Sequence, residues 1–153
     1  MQKLRLLKLA KMLELDAKNK EGIQFDIGTV GRPSDFGVFS NKKEIPLDCG
    51  TTACAMGLAA ISGEFKKAGL SYKINSESLS NQIVTKFNGR AVNYDKAAMK
   101  LFNITEEQAN YLFSPWTYPY GKKTAAAGER EVVRRIKRVV AGRPIRTWDG
   151  GYA

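Results

Sequence analysis

Apolar residues recur at helical spacing from the start of the chain. Leu6, Leu9, Ala10 and Leu13 fall on one side of a 3.6-residue turn, and Leu4, Leu7, Met12 and Leu15 widen that stripe. Lys3, Arg5, Lys8 and Lys11 fill the remaining positions, so residues 3–15 are predicted as an amphipathic helix. Residues 16–22 are polar and close on Gly22, a stop signal. Residues 23–27 read as a short extended piece, and 28–48 as a loop rich in Gly, Pro, Ser and Asp with a second extended step at 38–39. Small and apolar residues over 50–63 predict a second helix.

Residues 72–74 and 83–87 have strand character and are joined by a turn-rich stretch. Residues 94–102 predict a helix. Thr105-Glu106-Glu107-Gln108 reads as a capping box that opens another helix through Phe113, where Ser114-Pro115 stops it. The last helix covers 125–141 and ends at Gly142-Arg143-Pro144. The fold class that follows is α+β: one helix-rich domain over residues 1–145, a small sheet of two to four short strands, and a mobile tail at 146–153.

A chain of 153 residues is long enough to bury a core without a metal or disulfide staple. Its N-terminus mixes lysines into the leucines, unlike the unbroken apolar core of a signal peptide. A cytoplasmic protein with reduced thiols is expected. Charge changes the picture more: 25 basic residues face 15 acidic ones, a net +10. Such a field attracts polyanions, whether nucleic acid, anionic lipid or an acidic protein, without choosing among them.

Residues 47–60, Leu-Asp-Cys-Gly-Thr-Thr-Ala-Cys-Ala-Met-Gly-Leu-Ala-Ala, hold both cysteines. Cys49 near a helix start could have a lowered pKa, which would suit a nucleophile. The chain contains no histidine, so the usual base of a cysteine hydrolase is missing, as is a serine–histidine pair or a histidine-bound metal. Two cysteines five apart supply half of a zinc site, with no second pair. Asp26, Asp35, Asp48 and Asp95 are scattered, with no spacing that pairs them for acid–base or metal chemistry. No metal or cofactor is therefore expected. The segment reads better as a packed helix: Cys54, Gly57, Leu58 and Ile61 share a face, and Asp48, Thr51 or Thr52 could cap it. The amides around Gly50, Thr51 and Thr52 at that helix start are candidates for binding an anion.

The order of features resembles a family of small, uncharacterised bacterial and phage proteins. The resemblance runs through Leu6-Leu7-Lys8-Leu9-Ala10, Phe25-Asp26-Ile27, the Cys-Gly-Thr-x-x-Cys-x-x-Gly pattern from Cys49 to Gly57, and Leu112-Phe113-Ser114-Pro115. It covers roughly residues 4–140. Family members often carry Trp at the position of Leu58 and another Trp after the Phe-Asp step, both absent here. The resemblance implies a fold grouping and a phage or bacterial setting, hence host cytoplasm if phage-encoded. It implies no catalytic residues.

Residues 97–109 have the outline of a helix-turn-helix. Glu106 and Glu107 sit where phosphates would approach, however, so a packing hairpin is the better reading. The aromatic run at 113–123 places Trp116, Tyr118 and Tyr120 among prolines and before Lys122 and Lys123. Rings so placed can stack bases while the lysines hold phosphates, or they can cover the core. The last helix sets Val132, Val133, Ile136, Val139 and Val140 on one face. Arg130, Arg134, Lys137 and Arg138 lie opposite, with Arg135 at the flank. Nine basic and two acidic residues lie between Lys122 and Arg146. A solvated charged face is the ordinary meaning of such a stripe, and the imbalance adds polyanion contact as a second. Membrane-surface binding is disfavoured, because the apolar face is β-branched and has no aromatic anchors.

The sequence thus points first to a non-enzymatic binding protein. Its polyanion contacts would be Lys122, Lys123, Arg130, Arg134, Arg135, Lys137 and Arg138, with Trp116, Tyr118 and Tyr120 stacking, and nucleic acid or a nucleotide as partner. The alternatives are a module that docks on an acidic protein, as an inhibitor or assembly partner does, and an enzyme using Cys49.

Overall fold

The computed structural model describes residues 1–19, 24–26, 32–33, 51–75, 83–118 and 125–145. Among these residues it has five α-helices and two small three-stranded sheets, an α+β fold.

Helix α1 (Lys3–Lys18) buries Leu6, Leu9, Ala10 and Leu13, the stripe its periodicity marks. Its start is tied to the end of α3 (Tyr94–Phe102): the Gln2 amide donates to the Phe102 carbonyl at 2.6 Å, and Arg5 Nη1 donates to the Leu101 carbonyl at 2.8 Å. Leu4, Leu7 and Leu15 do not widen the buried stripe. They face solvent, because the core reaches only one side of the helix.

The cysteine segment differs from its sequence reading. Thr51–Ala53 form strand β3, between β1 (Gln24–Phe25), which it pairs in parallel, and β2 (Arg32–Pro33), which it pairs antiparallel. Helix α2 is Ala55–Ile61, so it begins later than predicted, and every residue in it is buried. Cys54 is the N-cap: its Sγ accepts from the Gly57 amide at 3.4 Å, in place of Asp48, Thr51 or Thr52. A helix apolar on all sides has to sit inside the molecule, and this one lies in the middle of the core cluster.

The second sheet has the order β4 (Leu70–Ile74), β5 (Ile83–Phe87), β6 (Arg90–Ala91), all antiparallel. Asn88 and Gly89 join β5 to β6, both at positive φ (49° and 79°), as a two-residue hairpin turn requires. Gly69, at φ +99°, packs against that turn and accepts from the Asn88 amide at 2.9 Å.

Helices α3 and α4 (Glu106–Phe113) form the expected packing hairpin, and the capping box is complete. The Gln108 amide donates to Thr105 Oγ1, and Gln108 Oε1 accepts from the Thr105 amide. Phe102 stacks on Phe113 and meets Phe65 edge-on, with centroids 5.9 and 6.0 Å apart. Helix α5 (Ala125–Val140) packs along α1, burying Val132, Val133, Ile136 and Val139. It ends in a Schellman motif: Gly142, at φ 66°, donates to Val139 and Arg143 to Arg138. Residues 38–39, the region around Cys49 and Gly50, and the tail 146–153 lie outside the described residues.

Candidate nucleic-acid interface

At about 100° per residue, Arg130, Arg134, Lys137 and Arg138 fall within an arc of about 100° on α5. Arg130, Arg134 and Lys137 are exposed and Arg138 is partly so. The heads of Arg134, Lys137 and Arg138 are held in defined positions. Arg134 forks onto Glu131 through Nε and Nη2, at 2.8 and 2.7 Å. Lys137 reaches across to Glu14 of α1 at 2.6 Å, and Arg138 Nε donates to the Pro144 carbonyl. The Arg134 hydrogen bonds hold the Glu131 carboxyl down at about 2, and Glu131 in turn raises Arg134.

Arg135 corrects the sequence reading. It is 5% exposed and faces inward, so it is not placed to meet phosphate. Nη1 donates to the Tyr111 carbonyl at 2.6 Å and to Thr117 Oγ1 at 2.8 Å. Nη2 donates to the Thr117 carbonyl at 2.7 Å, and Nε to Glu131 Oε1 at 3.1 Å. The guanidinium also packs against the Tyr111 and Tyr118 rings, 4.7 and 3.6 Å from their centroids. A buried cation is costly unless its donors are met, and here they are met by Tyr111 of α4, by Glu131, and by Thr117 of the aromatic segment, whose Tyr118 ring packs on the guanidinium.

The consequence is that the aromatic segment is fastened to α5. Pro115–Thr117 form a 3₁₀ turn, and Thr117 Oγ1 also bonds the Ser114 carbonyl at 2.9 Å. Tyr118 is turned inward: its hydroxyl donates to the Leu112 carbonyl at 2.5 Å, and burial pushes its phenol pKa up. Its ring is occupied by Arg135, so it is no stacking platform. Trp116, between the fixed neighbours, is 64% exposed. Through Arg135, the turn that carries the exposed indole is fastened to the same helix that carries the basic stripe. Lys122, Lys123 and Tyr120 lie outside the described residues.

The other sequence candidates separate from this surface. Thr51 and Thr52 are strand residues, so the anion site proposed at a helix start around Gly50, Thr51 and Thr52 lacks the helix. Cys54 is 2% exposed, and desolvation raises its thiol pKa to about 11. Among the described residues no group of three or more His, Cys, Asp or Glu could hold a metal ion, and no helix is long and apolar enough to cross a membrane.

One polar pair escaped the sequence reading. Glu129 on α5 is 1% exposed and hydrogen-bonded to Asp16 at the end of α1. Desolvation first, then the neighbouring Asp16 carboxyl, raise the Glu129 pKa, which favours the protonated form of Glu129 at the α1–α5 contact. The helical position of Glu129, on the side of Val133 and Ile136, was the available signal.

Comparison of the chain with protein families, with curated proteins and with solved structures finds no match.

Proposed function

We propose that this protein is a non-enzymatic nucleic-acid-binding protein whose contact surface is the outward face of α5 together with Trp116. The observation that carries this reading is the Arg135 clamp. It spends a buried cation on fixing the 3₁₀ turn, and the result is a large exposed ring on a turn fastened to the helix that carries Arg130, Arg134, Lys137 and Arg138. An indole carried on a turn fixed in this way meets a base with less backbone ordering, while the arginines meet phosphate. Contacts to phosphate give weak sequence preference and strong dependence on salt. A single-stranded ligand suits an exposed ring better than a duplex, whose bases are already stacked. The Cys-Gly-Thr resemblance suits an accessory protein of phage or bacterial type.

The test is charge reversal with Arg134→Glu and Arg138→Glu together. The double variant gives up the Arg134–Glu131 and Arg138–Pro144 contacts, so a circular dichroism melt accompanies it to establish that it folds. Its affinity for a labelled single-stranded oligonucleotide should fall at least tenfold. Unchanged affinity would remove the α5 face from the account.

A further inference from the structure

Helix α1 turns three leucines to solvent within about 80° of one another. Leu4 is 84% exposed, Leu15 60% and Leu7 40%. Leu4 and Leu15 are three turns apart, about 16 Å, and point within about 20° of each other. Leu7 stands about 60° to one side. Lys11 falls about 20° from Leu4, on the ridge itself and between its two ends. Lys8 and Lys18 lie about 40° to either side, and Lys3 beyond. All four lysines are exposed, and only Lys8 is drawn off, to Glu64 at 2.6 Å and over the Phe65 ring. Lys3 and Lys11 form no ion pair among the described residues. The result is an exposed apolar ridge with a lysine in its middle.

We infer that the outward face of α1 is a docking surface for an amphipathic acidic helix of another protein, its apolar ridge laid on Leu4, Leu7 and Leu15 and an acidic side chain set against Lys11. The placement of charge selects this occupant. A second copy of the chain would set Lys8 and Lys11 against the same residues in a molecule already at +10. A polar residue inside an apolar seam chooses its partner in this way, since only a complementary group opposite it removes the cost. An anionic membrane fits less well: a helix lying on lipid keeps its lysines at the margins of the apolar face, whereas Lys11 would be pressed below the headgroups. Nucleic acid would leave the leucines unburied. The two surfaces meet where Lys137 of α5 reaches Glu14 of α1, but Leu4, Lys11 and Leu15 can be altered without touching the α5 arginines, so each reading can fail without the other.

A display library of 20-residue helical peptides, selected on the full-length protein, tests this. Enriched peptides should carry an apolar seam broken by Glu or Asp. They should bind at least tenfold more weakly to the Leu4→Ser/Leu15→Ser protein, and Lys11→Glu should invert the preference to peptides with Lys in the seam. Both variants alter exposed positions, and circular dichroism melts would confirm that they fold. The proposal is overturned if no peptide is enriched above background, or if those enriched are indifferent to the three substitutions. It is equally overturned if the leucine variant instead abolishes dimerisation in sedimentation or binding to phosphatidylglycerol vesicles.

Discussion

The Arg135 guanidinium carbon lies 3.6 Å from the centroid of the Tyr118 ring, while the same group donates to both the carbonyl and the hydroxyl of Thr117. One side chain thus holds two residues of the turn that displays Trp116. Arg135→Ala would leave the Tyr111 and Thr117 carbonyls without their partner in a buried place, at a cost of about 3 kcal/mol. Arg135→Lys keeps the charge but not the fork, so it should recover only part of that loss. Urea unfolding measures the stability. Trp116 emission in a Trp148→Phe background reports release of the turn as a rise in quencher accessibility.

The Glu129–Asp16 pair predicts an unusual pH profile. The Glu129 pKa is higher folded than unfolded, so its contribution is full below the ordinary carboxylate value of 4.5 and is lost as pH rises toward about 9. Glu131 has the opposite sign: held at about 2 by Arg134, its contribution is present above 4.5 and lost as pH falls toward 2. Thermal melts from pH 5 to 9 should fall for the wild type and stay flatter for Glu129→Gln. A Glu129→Gln profile parallel to the wild type would contradict the raised Glu129 pKa.

Cys54 should be inert in the folded protein. Its thiol is buried, caps α2 through the Gly57 amide, and ionises only near pH 11. Iodoacetamide at pH 8 followed by peptide mass mapping should find Cys54 unmodified until denaturant is added. Labelling of Cys54 in the native state would show that α2 opens readily.

The β5–β6 turn and Gly69 offer a backbone test. Gly89→Ala puts a side chain at φ 79° in open space, a strain of about 1 kcal/mol. Gly69→Ala meets strain at φ +99° and also a clash, since its Cβ would fall 2.2 Å from Asn88 Oδ1. The second substitution should therefore cost more than the first. Equal costs by denaturation would mean that Asn88 swings clear.

These cases show what could be read from the chain. Local signals were dependable: Thr105 and Gln108 made their box, and the period of Val132, Val133, Ile136 and Val139 placed α5. Asn88-Gly89 was also local, a hairpin signal between two extended pieces that the reading passed over. What failed depended on distant partners. Thr51 and Thr52 look like a helix start until β1 and β2 pair with them on either side and make them a central strand. Arg135 looks like one more surface cation until Tyr111, Thr117 and Tyr118 close around it. Periodicity assigned Leu4, Leu7 and Leu15 to the buried stripe because it reports which residues are apolar, not how far the neighbouring core extends.

The most direct test of the proposed function is fluorescence anisotropy of the full-length protein with labelled single-stranded RNA, single-stranded DNA and duplex DNA across a salt series. The account predicts binding to single strands in preference to duplex, with log affinity falling linearly against log salt. Trp116→Ala should remove the preference for single strands, and the Arg134→Glu/Arg138→Glu protein should show a slope shallower by about 1.5. Absence of binding at low salt, or binding that ignores both Trp116 and the α5 arginines, would contradict the central claim.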